Sequence, residues 1–343
     1  MWVYWIAFAM SVTIAYIFEK SNMSGKRIDT ICSFIASVPL FFVSSLRYGI
    51  GADYFGYESA LSYNHYYKHI KEYLYYYLVE LVKKIGGEYQ CVVVVTALIF
   101  CLLVFYTIFH ESPNRLLSIY LLMGTCSFFV SMNIVRQMVA ASICFLALKL
   151  LNDKKYIASI VCVILACGFH RVSIVFLVAL LFGKIKINEK VAVAICACVF
   201  IIRNQLLLLV RLVFTYLGFD EKSNNGTDNI WFVINFLILA FAAFCYRKND
   251  KKYTLYFNMQ IIVTICSCFT GSIDLMDRLM WLFALPQTIL IPMAIDGRYI
   301  GDSEDNKKIV TVVIVAIYFI YSYYAIKIQG VGALYPYQSI LFK

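Results

Sequence analysis

The sequence predicts an all-α, polytopic integral membrane protein of about twelve transmembrane helices. The chain has 343 residues, of which 62% are hydrophobic and 15% are charged, whereas a soluble domain is nearer half apolar and a quarter charged. Apolar runs of roughly 17–22 residues recur from end to end, and each is long enough to cross about 30 Å of hydrocarbon. Since no linker separates these runs, we expect one membrane domain over residues 1–343.

Each apolar run is predicted to be a helix, because a backbone that crosses lipid must satisfy its hydrogen bonds within the span. The first run has no basic residue before it and no small-residue cleavage site after it, so we expect a retained helix and not a signal peptide. The predicted helices cover residues 2–18, 30–46, 89–109, 116–132, 137–151, 156–170, 172–183, 191–210, 230–246, 253–271, 279–295 and 309–326.

The predicted loop at 47–88 is the longest in the chain. It opens with RYGIGADY at 47–54, where two glycines two apart permit a tight backbone turn. Arg47 and Asp53 bracket this turn. Two interpretations stay open, a helix-capping loop with a surface ion pair or part of a ligand site.

The second half of that loop predicts an amphipathic helix near 72–85. Apolar residues recur there at helical spacing, and Glu80, Lys83 and Lys84 lie off the apolar face. Such a helix is typical of the membrane interface. The loop is also rich in tyrosine, which indicates an interfacial aromatic belt for most of these side chains and sugar stacking as the alternative. These are Tyr57, Tyr63, Tyr66, Tyr67, Tyr73, Tyr75, Tyr76 and Tyr77.

Basic residues predict the topology. Lysine and arginine cluster at helix ends on one side of the membrane, and the positive-inside rule makes that side cytoplasmic, with both termini outside. The predicted cytoplasmic loops are 19–29, 152–155, 184–190, 247–252 and 296–308. The net charge of +10 is spread over many short loops and does not indicate nucleic acid.

The arginines are divided unevenly between the two predicted sides. Six of the ten lie outside, where positive charge is disfavoured. A guanidinium binds phosphate through two parallel hydrogen bonds, so this bias indicates an anionic, phosphorylated ligand, with anchoring to lipid headgroups as the alternative. The outer arginines are Arg47, Arg136, Arg171, Arg203, Arg211 and Arg278.

Polar residues at the outer helix ends predict a single site. Ionisable groups near membrane depth are costly and usually face a cavity or each other. They occur in the 47–53 turn and at 133–137, 169–171 and 274–278. Taken singly, His170 is also compatible with a satisfied core histidine, and Asp277 with a structural partner of Arg278. The twelve cysteines lack paired metal-ligand spacing, so no metal or cofactor is predicted.

Four strings and one residue stand in order along the chain. They are RYGIGADYFGY (47–57), NIVRQMVAAS (133–142), LACGFHRVSIV (165–175), Arg278 at the start of a late helix, and LYPY (334–337). Together they resemble one family, the EpsG/Wzy-type polysaccharide polymerases. The ordered set, and not any single string, carries the resemblance, which covers most of the chain.

The resemblance implies a GT-C-like membrane glycosyltransferase of the bacterial inner membrane. The implied reaction joins oligosaccharide repeat units carried on undecaprenyl diphosphate at the outer face. In that reaction, the growing chain moves from its lipid diphosphate onto the next lipid-linked unit. A chain-length regulator and a flippase are further expected partners.

Candidate roles follow from this reaction. Arginines can neutralise a departing diphosphate where no DxD metal motif stands in an outer loop, and we assign Arg136 and Arg278 first and Arg47 next. The acceptor hydroxyl needs a base, for which Asp53 and His170 are the candidates. Asp53 is preferred, because a carboxylate beside Arg47 would stay ionised, but the sequence does not decide between them.

The substrate-binding set is completed by neighbours of these residues, Tyr54, Gln137 and Asp277. Arg171 departs from the family pattern, where a small or polar residue is expected after His170, and its role stays open.

Three other classes are compatible with a many-helix membrane protein. A transporter of polysaccharide or lipid-linked oligosaccharide usually shows repeated halves and a site at the bilayer midplane, which this sequence lacks. An O-antigen ligase normally has a large outer loop late in the chain, whereas the long loop of this chain is early, at 47–88. A membrane acyltransferase needs a histidine with a carboxylate partner at an acyl-donor tunnel.

Overall fold

The apolar runs form helices in the computed structural model of the protein. The structure describes residues 1–21, 25–62, 65–183, 185–216, 229–246, 250–297, 300, 303–328 and 330–342. Within these ranges the secondary structure is helical apart from one isolated β-bridge between Arg47 and Ser339. Tyr63 and the predicted loop residues Lys184, Arg247, Lys248 and Arg298 lie outside the described residues.

The helices are numbered in chain order. They are α1 Trp2–Lys20, α2 Lys26–Ser45, α3 Tyr54–Ser59, α4 His65–His69, α5 Tyr73–Lys84, α6 Tyr89–Glu111, α7 Arg115–Gly124, α8 Ser127–Ser131, α9 Val135–Asn152, α10 Tyr156–Phe169, α11 Phe176–Phe182, α12 Glu189–Ile201, α13 Arg203–Tyr216, α14 Asn229–Phe244, α15 Lys251–Ser267, α16 Asp274–Leu282, α17 Gln287–Ile295 and α18 Glu304–Tyr323. Two compact units contain them. The first unit is Met1–Leu177 with Lys308–Lys343, and the second is Val178–Lys307.

The length and composition of the helices confirm an all-helical protein with several apolar candidate membrane spans. Among the described residues, five helices are long and apolar enough to cross a membrane, or up to seven if each of two bent pairs is one span. Shorter apolar helices account for other predicted spans. The number of twelve and the likeness to GT-C enzymes stay predictions, and so does the single-domain organisation.

Several predicted helices are interrupted. The run at 191–210 breaks after Ile201, and its two parts are bent by 73°. The run at 279–295 begins earlier, at Asp274, and its two parts are bent by 53° across a break that contains Pro286. The run at 116–132 ends at Gly124, two residues before Cys126, which has a left-handed φ of 61°. The second break contains a proline, which is a recognisable helix breaker in the sequence. The hydropathy of the residues at the first and third breaks does not indicate an interruption.

In the first unit, α2 packs between α1 and α6, and α9 packs between α6 and α10. These contacts place the start of α9 and the end of α10 beside the loop at 47–88. The predicted amphipathic helix is confirmed as α5. Its Tyr75, Val79 and Val82 are buried, whereas Tyr77 and Leu81 are exposed. This exposed apolar row is the surface that an interfacial helix would turn towards lipid.

In the second unit, a buried amide network joins three apolar helices. Gln287 of α17 donates to the side-chain oxygen of Asn235 in α14 at 2.6 Å, and Gln260 of α15 donates to the backbone oxygen of Asn235 at 3.0 Å. Such polar contacts hold apolar helices together where burial of hydrophobic surface gives little net association.

Candidate functional site

A buried carboxylate, Glu72, joins three segments of the first unit. Glu72 is 2% exposed and immediately precedes α5. Its Oε2 accepts a hydrogen bond from Nη1 of Arg136. Its Oε1 lies 3.0 Å from Nδ1 of His170 and accepts the backbone N–H of Arg171 at 3.3 Å. One side chain therefore ties the long loop to the start of α9 and the end of α10.

Close packing of α5 on α10 brings Glu72 to His170. A Cβ atom at Gly168 would lie 2.5 Å from Cγ of Leu74, so only glycine lets Leu74 lie directly against α10. Glu72 stands two residues before Leu74, and His170 stands two residues after Gly168. The contact between Leu74 and Gly168 therefore places Glu72, just before α5, next to His170, just after α10.

His170 is held in one orientation. It caps α10 with an extended backbone, and it is 5% exposed. An ionised carboxylate only accepts hydrogen bonds, so the proton in the contact with Glu72 belongs to Nδ1. In a neutral ring Nε2 would then be the unprotonated nitrogen, and within the described residues it is buried without a hydrogen-bond partner. A neutral His170 would therefore offer a proton acceptor inside the site.

Arg136, the second residue of α9, is surrounded by tyrosines as well as by Glu72. The guanidinium carbon lies 5.5 Å, 4.8 Å and 5.8 Å from the ring centres of Tyr57, Tyr67 and Tyr75. Rings at this distance attract a cation. Nε of Arg136 is buried, and no described residue accepts its proton. The arginine is thus firmly placed and retains an unsatisfied donor.

The environment keeps Glu72 ionised. Burial alone would raise the pKa of Glu72, but the hydrogen bond with His170 and the charge of Arg136 outweigh burial and lower the pKa below its ordinary value. Burial raises the pKa of Tyr57 and of Tyr75, so both phenols stay neutral. The cluster therefore contains a carboxylate and a guanidinium side by side at neutral pH.

The tyrosines of the loop divide by burial in a way that sequence does not show. Tyr57, Tyr67 and Tyr75 are at most 8% exposed and enclose Arg136, which does not fit the belt role predicted for most of the set. Tyr66 and Tyr77 are 59% and 62% exposed, as a belt residue would be. Neighbouring tyrosines differ in exposure because adjacent residues of a helix point in different directions, so one faces the interior while the other faces outward.

The glycine turn at 47–54 packs against the C-terminal segment. Gly51 has a φ of +104°, and a Cβ atom there would lie 2.6 Å from the backbone oxygen of Met132. The backbone N–H of Tyr48 donates to the oxygen of Gln338 at 3.0 Å, and that of Ala52 donates to the oxygen of Gly332 at 3.0 Å. The turn of the first string therefore lies against residues 332 and 338, which flank the LYPY string at 334–337.

The predicted ion pair between Arg47 and Asp53 is wrong for the described residues. Arg47 is 1% exposed, and its Nη1 donates to the backbone oxygen and the hydroxyl of Ser44 at 2.6 Å and 3.1 Å. Asp53 is exposed, and its backbone N–H donates to Oδ1 of Asn133 at 3.1 Å. The turn directs Arg47 inward to the end of α2 and Asp53 outward at the start of α3, so they do not meet.

The remaining predicted site residues are distributed over both units. Tyr54 is 3% exposed, and its hydroxyl donates to Oε1 of Gln90 at 3.3 Å. Gln137 is buried next to Arg136 in α9. Asp277 and Arg278 belong to α16 of the second unit, where both carboxylate oxygens of Asp277 lie 3.2 Å from the backbone nitrogen of Gly271.

Of the predicted residues, the structure brings together Arg136 and His170, and it adds Glu72, which the sequence analysis missed. One signal for Glu72 was available. It is an acidic residue at the start of an amphipathic helix, in the longest loop and next to buried apolar positions. Sequence alone does not show that this acid faces two partners that follow it by 64 and 98 residues.

A family model described as the EpsG family matches residues 30–339. No match is found among curated proteins or among solved structures. The matched range includes the glycine turn, Glu72, Arg136, His170 and Arg278. Because this range is nearly the whole chain, the chain belongs to the EpsG family.

Proposed function

We propose that this protein is a polysaccharide polymerase that joins undecaprenyl-diphosphate-linked repeat units at the outer face of the bacterial inner membrane. Membership of the EpsG family supports a polymerase-type role in polysaccharide synthesis. In the proposed reaction, a sugar hydroxyl of the acceptor unit attacks the anomeric carbon of the donor chain. The bond from that carbon to the diphosphate oxygen breaks, and undecaprenyl diphosphate leaves with the electron pair.

One observation carries this proposal. Glu72 binds an arginine and a histidine, and each has a buried polar atom to which no described residue is hydrogen-bonded. Among the described residues, Nε of Arg136 is a donor without an acceptor, and Nε2 of a neutral His170 would be an acceptor without a donor. Glycosyl transfer from a lipid diphosphate needs both, since it releases an anion and removes a proton from a hydroxyl.

The base that the geometry supports is His170. Its free nitrogen lies inside the cluster, and its other nitrogen is fixed by Glu72. The sequence favours Asp53 as the base only because it predicts Arg47 beside it. Arg47 and Asp53 form no ion pair among the described residues, so this reason no longer holds. We therefore assign the proton acceptor to Nε2 of His170.

The group that neutralises the departing diphosphate is assigned to Arg136 within the first unit. A guanidinium in a site largely closed to water stabilises a developing oxyanion strongly, because its charge is already in place. Arg47 is less suited, since the residue is 1% exposed and its Nη1 already donates to the backbone oxygen and the hydroxyl of Ser44. The assignments of Arg47 and Arg278 stay predictions from the sequence.

A membrane acyltransferase is the second candidate. Its chemistry requires a histidine with a carboxylate partner, and the Glu72–His170 contact supplies such a pair. The family assignment favours the polymerase, because the EpsG model covers the chain over residues 30–339. The two activities leave different products, so glycan analysis separates them.

The test is the glycan phenotype of a deletion strain complemented with the wild-type gene. We expect the deletion to leave single repeat units at the cell surface and the wild-type gene to restore a ladder of long chains. Chains of normal length that lack acyl groups would instead identify an acyltransferase. Units stranded inside the cell would indicate a transporter, and long chains not joined to lipid A would indicate a ligase. Each of these three outcomes rejects the polymerase.

A further inference from the structure

We propose that Glu72 is a positioning residue that holds His170 in the tautomer protonated at Nδ1, so that Nε2 receives the proton of the acceptor hydroxyl. The role in catalysis rests on the proposed function. The placement of the proton rests on the Glu72–His170 contact alone and can be tested separately. Glu72 itself does not contact the reacting atoms in this scheme.

Three donors fix the carboxylate of Glu72. Arg136 occupies Oε2, while Nδ1 of His170 and the backbone N–H of Arg171 share Oε1 at 3.0 Å and 3.3 Å. These donors come from two different helix ends, so the carboxylate has little freedom to rotate. A fixed acceptor in turn fixes the imidazole ring that donates to it, as a buried carboxylate does for a catalytic histidine in other enzymes.

The neutral imidazole has one donor and one acceptor nitrogen. With the donor directed at Glu72, the acceptor nitrogen is Nε2, which is buried and has no hydrogen-bond partner in the described part of the chain. If the proton were on Nε2 instead, two unprotonated acceptors, Nδ1 and the carboxylate, would face each other at 3.0 Å. The contact with Glu72 therefore selects the tautomer that works as a base.

The proton transfer balances within this arrangement. As the acceptor oxygen forms its bond to the anomeric carbon, its proton moves to Nε2, and His170 becomes an imidazolium with protons on both nitrogens. Glu72 stays ionised and stabilises that cation across the Nδ1–H contact. The proton later passes from Nε2 to water or to the released diphosphate, which restores the neutral ring.

Replacement of Glu72 by glutamine tests the proposal. Glutamine keeps the shape but also brings an amide NH2 group, which can donate to Nδ1 and so shift the ring proton to Nε2. We expect polymerisation to fall by about 10²–10⁴-fold, the usual contribution of a general base. Glu72→Asp keeps the charge with a shorter reach and should retain more activity than Glu72→Gln.

Glu80 provides the matched control. It is a glutamate of α5, the helix that Glu72 precedes, and its carboxylate lies 3.4 Å from Nζ of Lys83 on the surface. Glu80→Gln removes the same charge from a nearby position without touching His170. Ladders of normal length are expected from this variant, and the membrane abundance of all variants is compared by immunoblot.

The direct measurement is ¹⁵N NMR of histidine-labelled protein in liposomes at pH 8. The chain has four histidines, and the signal lost in His170→Gln identifies the ring of interest. We expect Nδ1–H in the wild type, in Glu72→Asp and in Glu80→Gln, and a shift towards Nε2–H in Glu72→Gln.

Two results would overturn the proposal. One is an Nε2–H signal for His170 in the wild-type protein, a measurement that does not depend on the folding of any variant. The other is a Glu72→Gln protein at normal abundance that builds long chains. Failure of the proposed function is seen separately, in a deletion strain whose ladder is unchanged. In that case the tautomer measurement still decides whether Glu72 orients His170, but no role in polymerisation remains for it.

Discussion

Nδ1 of His170 lies 3.0 Å from Oε1 of Glu72, and this contact joins residues that are 98 positions apart in the chain. The contact places the residue that follows the apolar helix α10 next to the residue that precedes the amphipathic helix α5. Because the same carboxylate also binds Arg136, the contact defines a site with three charged or titratable groups. The predictions that follow test this site and its surroundings.

The two candidate bases should respond differently to substitution. His170→Gln removes the free nitrogen, so we expect long chains to be replaced by single repeat units. Asp53→Asn should keep polymerisation within a few fold, because Asp53 is exposed and its hydrogen bond to Asn133 is made by its backbone N–H. Gel analysis of the surface glycan measures both. A ladder from His170→Gln together with none from Asp53→Asn, at equal abundance, would return the base to Asp53.

Arg136→Lys should lose most polymerisation. Lysine keeps the charge beside Glu72, but it lacks the Nε donor and the planar group that lies among three tyrosine rings. Loss of one oxyanion donor typically costs about 10²–10³-fold in rate. Arg171→Lys is the matched control, since the contact of Arg171 with Glu72 is through its backbone N–H. Normal ladders from Arg136→Lys would remove the diphosphate assignment.

Gly168→Ala should impair polymerisation without touching a polar residue. The new Cβ atom would lie 2.5 Å from Cγ of Leu74, so α5 must move and carry Glu72 away from His170. Gly56→Ala is the control, because in the described part of the chain no atom outside its own helix backbone lies within 4 Å of the added Cβ. Chain-length distribution and melting temperature in detergent are measured for both. Equal ladders from the two variants would show that α5 moves without disturbing the cluster.

Acid should weaken the contribution of Glu72 to stability. Its pKa in the folded protein is lowered from an ordinary value of 4.5, so the carboxylate stabilises the fold fully above that value. This stabilisation is lost as the pH falls through the lower folded-state pKa. Melting temperatures of the wild type and Glu72→Gln in detergent should therefore differ above pH 4.5 and converge below it. A difference that grows as the pH falls below 4.5 has the wrong sign for this account.

The predicted topology places the cluster outside the cytoplasm. The loops at 19–29, 152–155, 184–190, 247–252 and 296–308 should be cytoplasmic because of their basic residues. In a cysteine-free background, a single cysteine replacing Asp250 should resist an impermeant thiol reagent added to intact cells, and one replacing Asp53 should react. Labelling at position 250 from outside would reject this orientation.

The sequence by itself determined the features that depend on local pattern. Run length and hydropathy identified the apolar helices, and helical spacing identified α5 to within one residue at each end. The paired glycines at 49 and 51 indicated the turn, because glycine adopts a positive φ without steric strain. Charge at helix ends placed Arg136 and His170 among the candidates.

Only the tertiary structure decided which of these residues meet. It brought Glu72 beside Arg136 and His170, directed Arg47 inward, and divided adjacent tyrosines such as Tyr66 and Tyr67 into exposed and buried. The physical reason is that each choice depends on packing between segments distant in sequence. Because Gly168 has no Cβ atom, Leu74 packs directly against α10. This close contact places the carboxylate of Glu72, two residues before Leu74, within hydrogen-bonding distance of His170.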